Sequence, residues 1–332
     1  KNGLVPVKPI PLSSYFKNYH IPLSFHLDEK QIKEGDFDFS EISCISSKIH
    51  NFGAMTFCYK IPFSSSLDKL KEKLINIKSI LDKNNEQDAK KAFHKIISAI
   101  KKPRFYNLKN FYFTIQVEPL EEIVSSKDYK EAYGSKIASL LRLETESLSE
   151  YQLQEILGTT TGYSGEDFMI IDTEASFIYD DEYFEVLEFF EFANLQLLEL
   201  RYFDRLLDNK LNFFYVQKHY KMPLKAYIPL IGQRTEQPIS LLAQLKVDIS
   251  VIIERLDFSI KMAGDTYYSN VYSILRDQLS LDEWRLSINK KLGIIHDIYT
   301  IYQDRLDIIH DEILTVVIIL LIALEAAIAF WH

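Results

Sequence analysis

Ile313-Leu314-Thr315-Val316-Val317-Ile318-Ile319-Leu320-Leu321-Ile322-Ala323-Leu324-Glu325-Ala326-Ala327-Ile328-Ala329-Phe330-Trp331 decides how this chain is organised. Glu325 is the single charge in these 19 residues. At the α-helical rise they span about 28 Å, close to the hydrocarbon thickness of a bilayer. The competing reading is a buried core helix. Soluble core helices are rarely apolar on every face, and Trp331 stands where an interfacial aromatic belongs. The stretch reads as a transmembrane helix. Only His332 follows it, so the expectation is a tail anchor. Arg305 stands against Asp304, Asp307, Asp311 and Glu312, so no positive-inside excess sets the orientation.

Working back from the anchor, Ile288, Leu292, Ile295, Tyr299, Tyr302, Leu306, Ile309 and Ile313 alternate four and three apart, the heptad pattern of a coiled-coil seam. The competing stripe of Ile294, Ile298 and Ile301 fails at Arg305. The spacing predicts one helix from about residue 281 to the C-terminus, opened by a capping box at Ser280-Leu281-Asp282-Glu283. Such a seam wants a partner. A homo-oligomeric stalk and an intramolecular pairing with an earlier helix both satisfy it, with a slight preference for the stalk. Glu325 falls at position f, away from the seam. A carboxylate there costs about 3 kcal/mol on insertion scales. It is either protonated, paired in an oligomer, part of an ion path, or a tolerated charge near the far interface.

Upstream, Pro6, Pro9, Pro11 and Pro22 separate short extended runs. Ala54 to Ile61 reads as a buried strand stopped by Pro62. Leu67, Leu70, Leu74, Ile77 and Leu81 follow at helical spacing after Ser64-Ser65-Ser66, and a second helix is expected from about Gln87 to Lys101. Phe111 to Val117 reads as a strand. Helices are expected near Tyr129–Leu143 and Glu150–Leu157, the latter capped by Ser149. Phe168 to Asp172 and Ala175 to Tyr179 flank Thr173-Glu174 as a hairpin. Helices then follow over Glu182–Tyr215, Ile239–Met262 and Thr266–Leu279, with Pro223, Pro229 and Pro238 in a connection. The expected fold is α+β: a mixed α/β domain over 1–180, a helical region over 181–280, a coiled-coil-like stalk over 281–312 and a transmembrane helix over 313–331.

A net charge of −9 argues against nucleic acid as a principal partner. One segment opposes that balance, since Leu67 to Arg104 holds 11 Lys/Arg against five Asp/Glu. It reads either as solvated faces of amphipathic helices or as a patch meeting anionic lipid or RNA. Cys44 and Cys58 have no metal or redox spacing and are expected to be reduced.

Several motifs together carry a resemblance. They are Gly165-Glu166-Asp167-Phe168 before Ile170-Ile171-Asp172; Ala193 to Asp204 (ANLQLLELRYFD); Asp265-Thr266-Tyr267-Tyr268 before Trp284; Lys291-Leu292 before Asp297-Ile298-Tyr299; and Leu320-Leu321-Ile322 before Glu325. In this order over residues 160–331, the set resembles the "required for meiotic nuclear division" family, in its bacterial branch. The resemblance implies a soluble α/β region, a helical region and one C-terminal membrane helix, with no established catalytic activity. It places the anchor in a bacterial inner membrane, or alternatively a mitochondrial inner membrane, with the soluble part on the cytoplasmic or matrix side.

Catalytic signatures are missing. No GxGxxG, P-loop, HExxH or nucleophile elbow is present. Thr161-Gly162-Tyr163-Ser164-Gly165 reads as a turn, because it lacks the Lys of a phosphate loop. Glu199, Arg201, Asp204, Arg205 and Asp208 on one helix, and Glu254, Asp257, Lys261 and Asp265 on another, read as polar contacts that register neighbouring helices. A metal or acid/base site built from both is the sharper alternative. His296 and His310 flank the seam and read as isolated flank histidines, the alternative being rings in an oligomer that bind metal or sense pH. No catalytic, cofactor or metal residue is assigned. The expected partners are the lipid bilayer, further copies of the chain and a soluble protein. The leading expectation is a membrane-anchored, self-associating scaffold without enzymatic activity. The alternative is an oligomeric ion-conducting protein whose general plan is similar to the CorA-type magnesium channels, though the Gly-Met-Asn signature is absent.

Overall fold

A computed structural model describes residues 22–25, 32–34, 37–39, 43–119, 125–144, 147–181, 183–216, 244–247, 249–251 and 266–331. Strands β1 (Leu23–Ser24), β4 (Ser43–Ile49) and β5 (Met55–Lys60) form an antiparallel sheet in the order β1-β4-β5, and β2 (Ile32–Glu34) pairs with β3 (Phe37–Phe39). Helix α1 (Leu67–Ile96) and a 3₁₀ turn (Ile97–Ala99) lead to β6 (Phe113–Val117). Then come α2 (Ser126–Leu141), α3 (Glu150–Gly158), β7 (Thr160–Thr161), β8 (Phe168–Ile171) and β9 (Ala175–Tyr179). Helices α4 (Phe184–Val216), α5 (Thr266–Gln278) and α6 (Leu281–Trp331) complete the described chain. It is a mixed α/β fold ending in a long helix. Pro223, Pro229, Pro238 and most of the helix expected over Ile239–Met262, Glu254 and Asp257 included, lie outside the described residues.

The second sheet runs β6-β9-β8-β7, with β6 parallel to β9 and the other pairs antiparallel. The hairpin read from Phe168 to Tyr179 is β8–β9, with Ile171 opposite Ser176 across the Thr173-Glu174 turn. Every residue of both strands is buried, so both faces of this sheet are covered. Alternation divides them. Phe168, Ile170, Phe177 and Tyr179 join the core made with Leu70 and Leu74 of α1, Tyr129, Ile137 and Leu141 of α2, and Ile156 of α3. On the other side α5 packs against β8.

Local rules explain most element ends. Ser66, Ser125 and Ser149 cap α1, α2 and α3, and Ser149 with Gln152 makes a full capping box. Two expectations are corrected. The two helices expected over Leu67–Leu81 and Gln87–Lys101 are one helix, α1, which runs unbroken to Ile96. Its polar middle holds no Pro or Gly, and Asp82 and Glu86 there pair with Lys109. The capping box at Ser280 does not form in the expected way. Ser280 has φ +50, the left-handed conformation that closes α5 through Ser280 N–H to the Asp277 carbonyl, whereas an N-cap is extended.

The chain separates into two compact units, Lys1–Glu199 with Phe258–Asp282, and Leu200–Asp257 with Glu283–His332. The first cut falls inside α4, whose N-terminal half contacts the α/β unit through Glu191 to Lys48 and Thr56 and through Asn194 to Asn110. The second falls two residues into α6, beside the expected start of the stalk.

The 161–165 segment is a turn. The Asp167 carboxylate accepts the backbone N–H groups of Tyr163 and Ser164 and the Ser164 hydroxyl, and Ser164 Oγ accepts Glu166 N–H. The donors that a phosphate would need are consumed internally. Gly162 is required because a Cβ there would stand 2.5 Å from the Asp167 carbonyl oxygen. Gly162→Ala is therefore expected to cost about 2 kcal/mol, read as a lowered denaturant midpoint of the α/β unit.

Candidate functional site

Polar side chains on α4 organise the contacts of the α/β unit. Glu191 accepts Lys48 Nζ of β4 at 2.5 Å and Thr56 Oγ1 of β5 at 2.5 Å. His50, buried in the β4–β5 connection, places Nε2 3.1 Å from Thr56 Oγ1. Burial holds His50 neutral, pushing its pKa down to about 4 against the opposing pull of Glu191. Cys44 and Cys58 of the same sheet are free thiols, and burial raises Cys58 to about 11. These thiols are not activated nucleophiles.

One turn along α4, Asn194 accepts Asn110 Nδ2 at 2.7 Å. Gln196, fully buried, accepts the Tyr272 hydroxyl of α5 at 2.6 Å. Beside them on α5, Tyr268 stacks on Phe189 with centroids 5.1 Å apart and donates to Glu185.

Glu199 lies three residues beyond Gln196 and is 7% exposed. Gln196 Nε2 and Glu199 Oε2 are buried with no hydrogen-bond partner among the described residues. Burial alone raises the Glu199 carboxyl to about 8, so it is chiefly a neutral acid at pH 7. Among the described residues no charged neighbour contributes to that shift. An acid/base pair needs two groups whose environments push their pKa values apart, and among the described residues Glu199 has no such partner. Among the described residues no three His, Cys, Asp or Glu side chains come together to hold a metal.

The raised carboxyl has a stability consequence. The folded chain keeps the Glu199 proton up to about pH 8, while the unfolded chain releases it near the usual carboxylate value. Between those limits the native state binds more protons, so stability falls as pH rises. Glu199→Gln removes the ionisation. The melting-temperature gain of the variant over its parent is expected to grow from near zero at about pH 4 to several degrees above about pH 8. A gain independent of pH would show that Glu199 is not the titrating group.

In the other unit, Lys291 of α6 reaches Asp204 Oδ1 at 2.7 Å and Asp208 Oδ1 at 2.6 Å, and the Ser287 hydroxyl donates to Asp204 at 2.8 Å. Burial would lower the Lys291 pKa, but the hydrogen bonds it donates to both aspartates, with their negative charge, outweigh it and raise the value. Asp204 and Asp208 are thus the helix-registering contacts read from the sequence, with Lys291 and Ser287 as partners that spacing on one helix does not reveal.

Seam residues Ile288, Leu292 and Ile295 are buried within one chain, at 0%, 3% and 2% exposure. They share a face of α6 with Lys291, as Leu207 and Leu211, also buried, share one of α4 with Asp204 and Asp208. The upper seam is therefore buried within one chain. Ile309 and Ile313 are half-exposed, and the side chains of Tyr299, Tyr302 and Leu306 lie outside the description. His296 is exposed. The most apolar 18-residue window of α6 has mean hydropathy 2.9 and none of it is buried. Glu325 is exposed within this apolar region. The helix is long and apolar enough to cross a membrane.

Comparison with known proteins adds a family. The chain is similar to "Uncharacterized protein MJ0711" of Methanocaldococcus jannaschii, 26% identical over 239 residues, 71% of each chain. No solved structure matches. The family model for the N-terminal domain of the uncharacterized protein MJ0711 matches residues 6–185, more than half of the chain, and the chain belongs to that family.

Proposed function

We propose that this protein is a membrane-anchored scaffold without enzymatic activity, which holds its α/β unit at a bilayer surface. One observation carries the reading. A single helix, α6, is clasped to α4 through Lys291 near its start and ends in an apolar stretch of which none is buried. So large an unburied apolar surface is unstable in water and matches a hydrocarbon slab. Self-association, where it occurs, uses the lower seam around Ile309, Ile313 and the spanning segment, because Ile288, Leu292 and Ile295 are already covered within the chain. The resemblance to the "required for meiotic nuclear division" family agrees with this plan. Several residues that carry it hold polar contacts, Gln196, Asp204 and Lys291 between helices and Asn194 to the segment before β6.

Alkaline extraction of membranes tests the anchor. The full chain should stay with the membrane pellet and a chain lacking residues 313–332 should be released. Release of the full chain would overturn the reading. Particle mass in detergent then tests self-association, for which a monomer is the negative result. The alternative ion-conducting assembly is favoured by the unpaired position of Glu325 in an apolar helix. It requires a closed ring in which Glu325→Gln alters ion flux, and absence of flux from reconstituted vesicles removes it.

A further inference from the structure

The C-terminal end of α1 carries a surface that the scaffold reading does not use. Between Ala89 and Val117 the chain holds seven Lys/Arg and no Asp or Glu, in a protein of net charge −9. Three of those cations are engaged: Lys90 by Glu86, Lys91 by Asp88, and Lys109 by Asp82 and Glu86. Lys95, Lys101, Lys102 and Arg104 have no ion-pair partner among the described residues. Every residue from Ile97 to Arg104 is exposed. The 3₁₀ turn Ile97–Ala99 is closed by Ile100 N–H bonding the Ile97 carbonyl. That bond fixes two exposed isoleucines, 39% and 36% accessible, beside the free cations.

We propose that Ile97–Arg104, with Lys95, is a docking surface for an anionic lipid bilayer. Cations at a membrane surface are attracted to acidic headgroups, each contributing about fivefold in binding, and adjacent aliphatic side chains enter the headgroup boundary. The exposed large apolar side chains within Ile97–Arg104 are branched aliphatics, which offer no stacking plane for single-stranded nucleic acid, and the exposed aromatic Tyr106 lies outside that segment. The inference rests on the anchor reading in one respect. A chain already held at the bilayer meets its lipids at high effective concentration, so a patch of only four free cations suffices.

The test uses the full chain reconstituted into vesicles of phosphatidylcholine alone, or of phosphatidylcholine with about 30% phosphatidylserine. Hydrogen exchange is followed across residues 97–104. Exchange is expected to be about tenfold slower in the anionic vesicles, to recover in high salt, and to be unprotected in a K95Q/K101Q/K102Q/R104Q variant. Equal exchange of the parent chain in both lipids overturns the proposal and needs no variant. Protection by single-stranded RNA in the absence of anionic lipid also overturns it and assigns the patch to nucleic acid. A chain that fails to insert into vesicles refutes the anchor and leaves the surface to be decided by flotation. Co-flotation with anionic but not zwitterionic vesicles supports docking, and its absence sinks it.

Discussion

Phe177→Ala is expected to remove about 4 kcal/mol from the stability of the α/β unit, a large share of the 5–15 kcal/mol that a domain commonly holds. Phe177 is 0% exposed on β9. Its ring lies 5.9 Å from that of Phe168 and 6.3 Å from that of Tyr129. Truncation deletes an aromatic side chain where three elements meet, and the strands on either side are held by ladder hydrogen bonds that limit collapse into the void. Phe184→Ala supplies the contrast. Phe184 is 67% exposed at the start of α4, and its loss should change stability by no more than about half a kcal/mol. Denaturant unfolding of the two variants, followed by a probe in the sheet, checks both. Similar midpoints would mean that β9 is not central to the core.

Lys291→Met is expected to loosen the α4–α6 clasp by about 2–3 kcal/mol. Asp204 has a side chain only 11% exposed, and after the substitution its charge keeps only the Ser287 hydroxyl as a side-chain partner among the described residues. Asp208, half-exposed at 49%, is resolvated at little cost, which places the expected loss below that of a fully buried pair. The loss arises from the uncompensated carboxylate more than from the ion pair itself. Adding Asp204→Asn to Lys291→Met should therefore recover most of it. Native-state hydrogen exchange over residues 204–211 and 288–295 reads the effect locally, and protection unchanged in Lys291→Met would show that the clasp contributes nothing to holding the helices.

The two predictions mark where sequence reading succeeded and where it stopped. The Phe168–Tyr179 hairpin was legible because a tight polar turn between two apolar runs has few other uses. Asp204 and Asp208 were legible as contacts, but Lys291 was one of many lysines until the structure placed it beside them. Neither the Glu191–Lys48–Thr56 group nor the Gln196–Tyr272 pair had a local signal, since their members are separated by 76 to 143 residues. The break expected in α1 illustrates the opposite error. A run of polar residues was read as a boundary, yet without Pro or Gly the helix continues at little cost.

What the sequence by itself determined is the apolar length of Ile313–Trp331 and the periodicity of the helix before it, because both follow from side-chain transfer energy and helical repeat alone. Only the tertiary structure decided which part of the seam is covered within the chain. Periodicity shows that a helix has an apolar face, but not that Ile288, Leu292 and Ile295 are buried within one chain, nor that Lys291 beside them reaches Asp204, 87 residues away in the sequence. Below that point none of the apolar window is buried within the chain. The proposed anchor is therefore the lower end of a helix whose upper end is already buried within the fold.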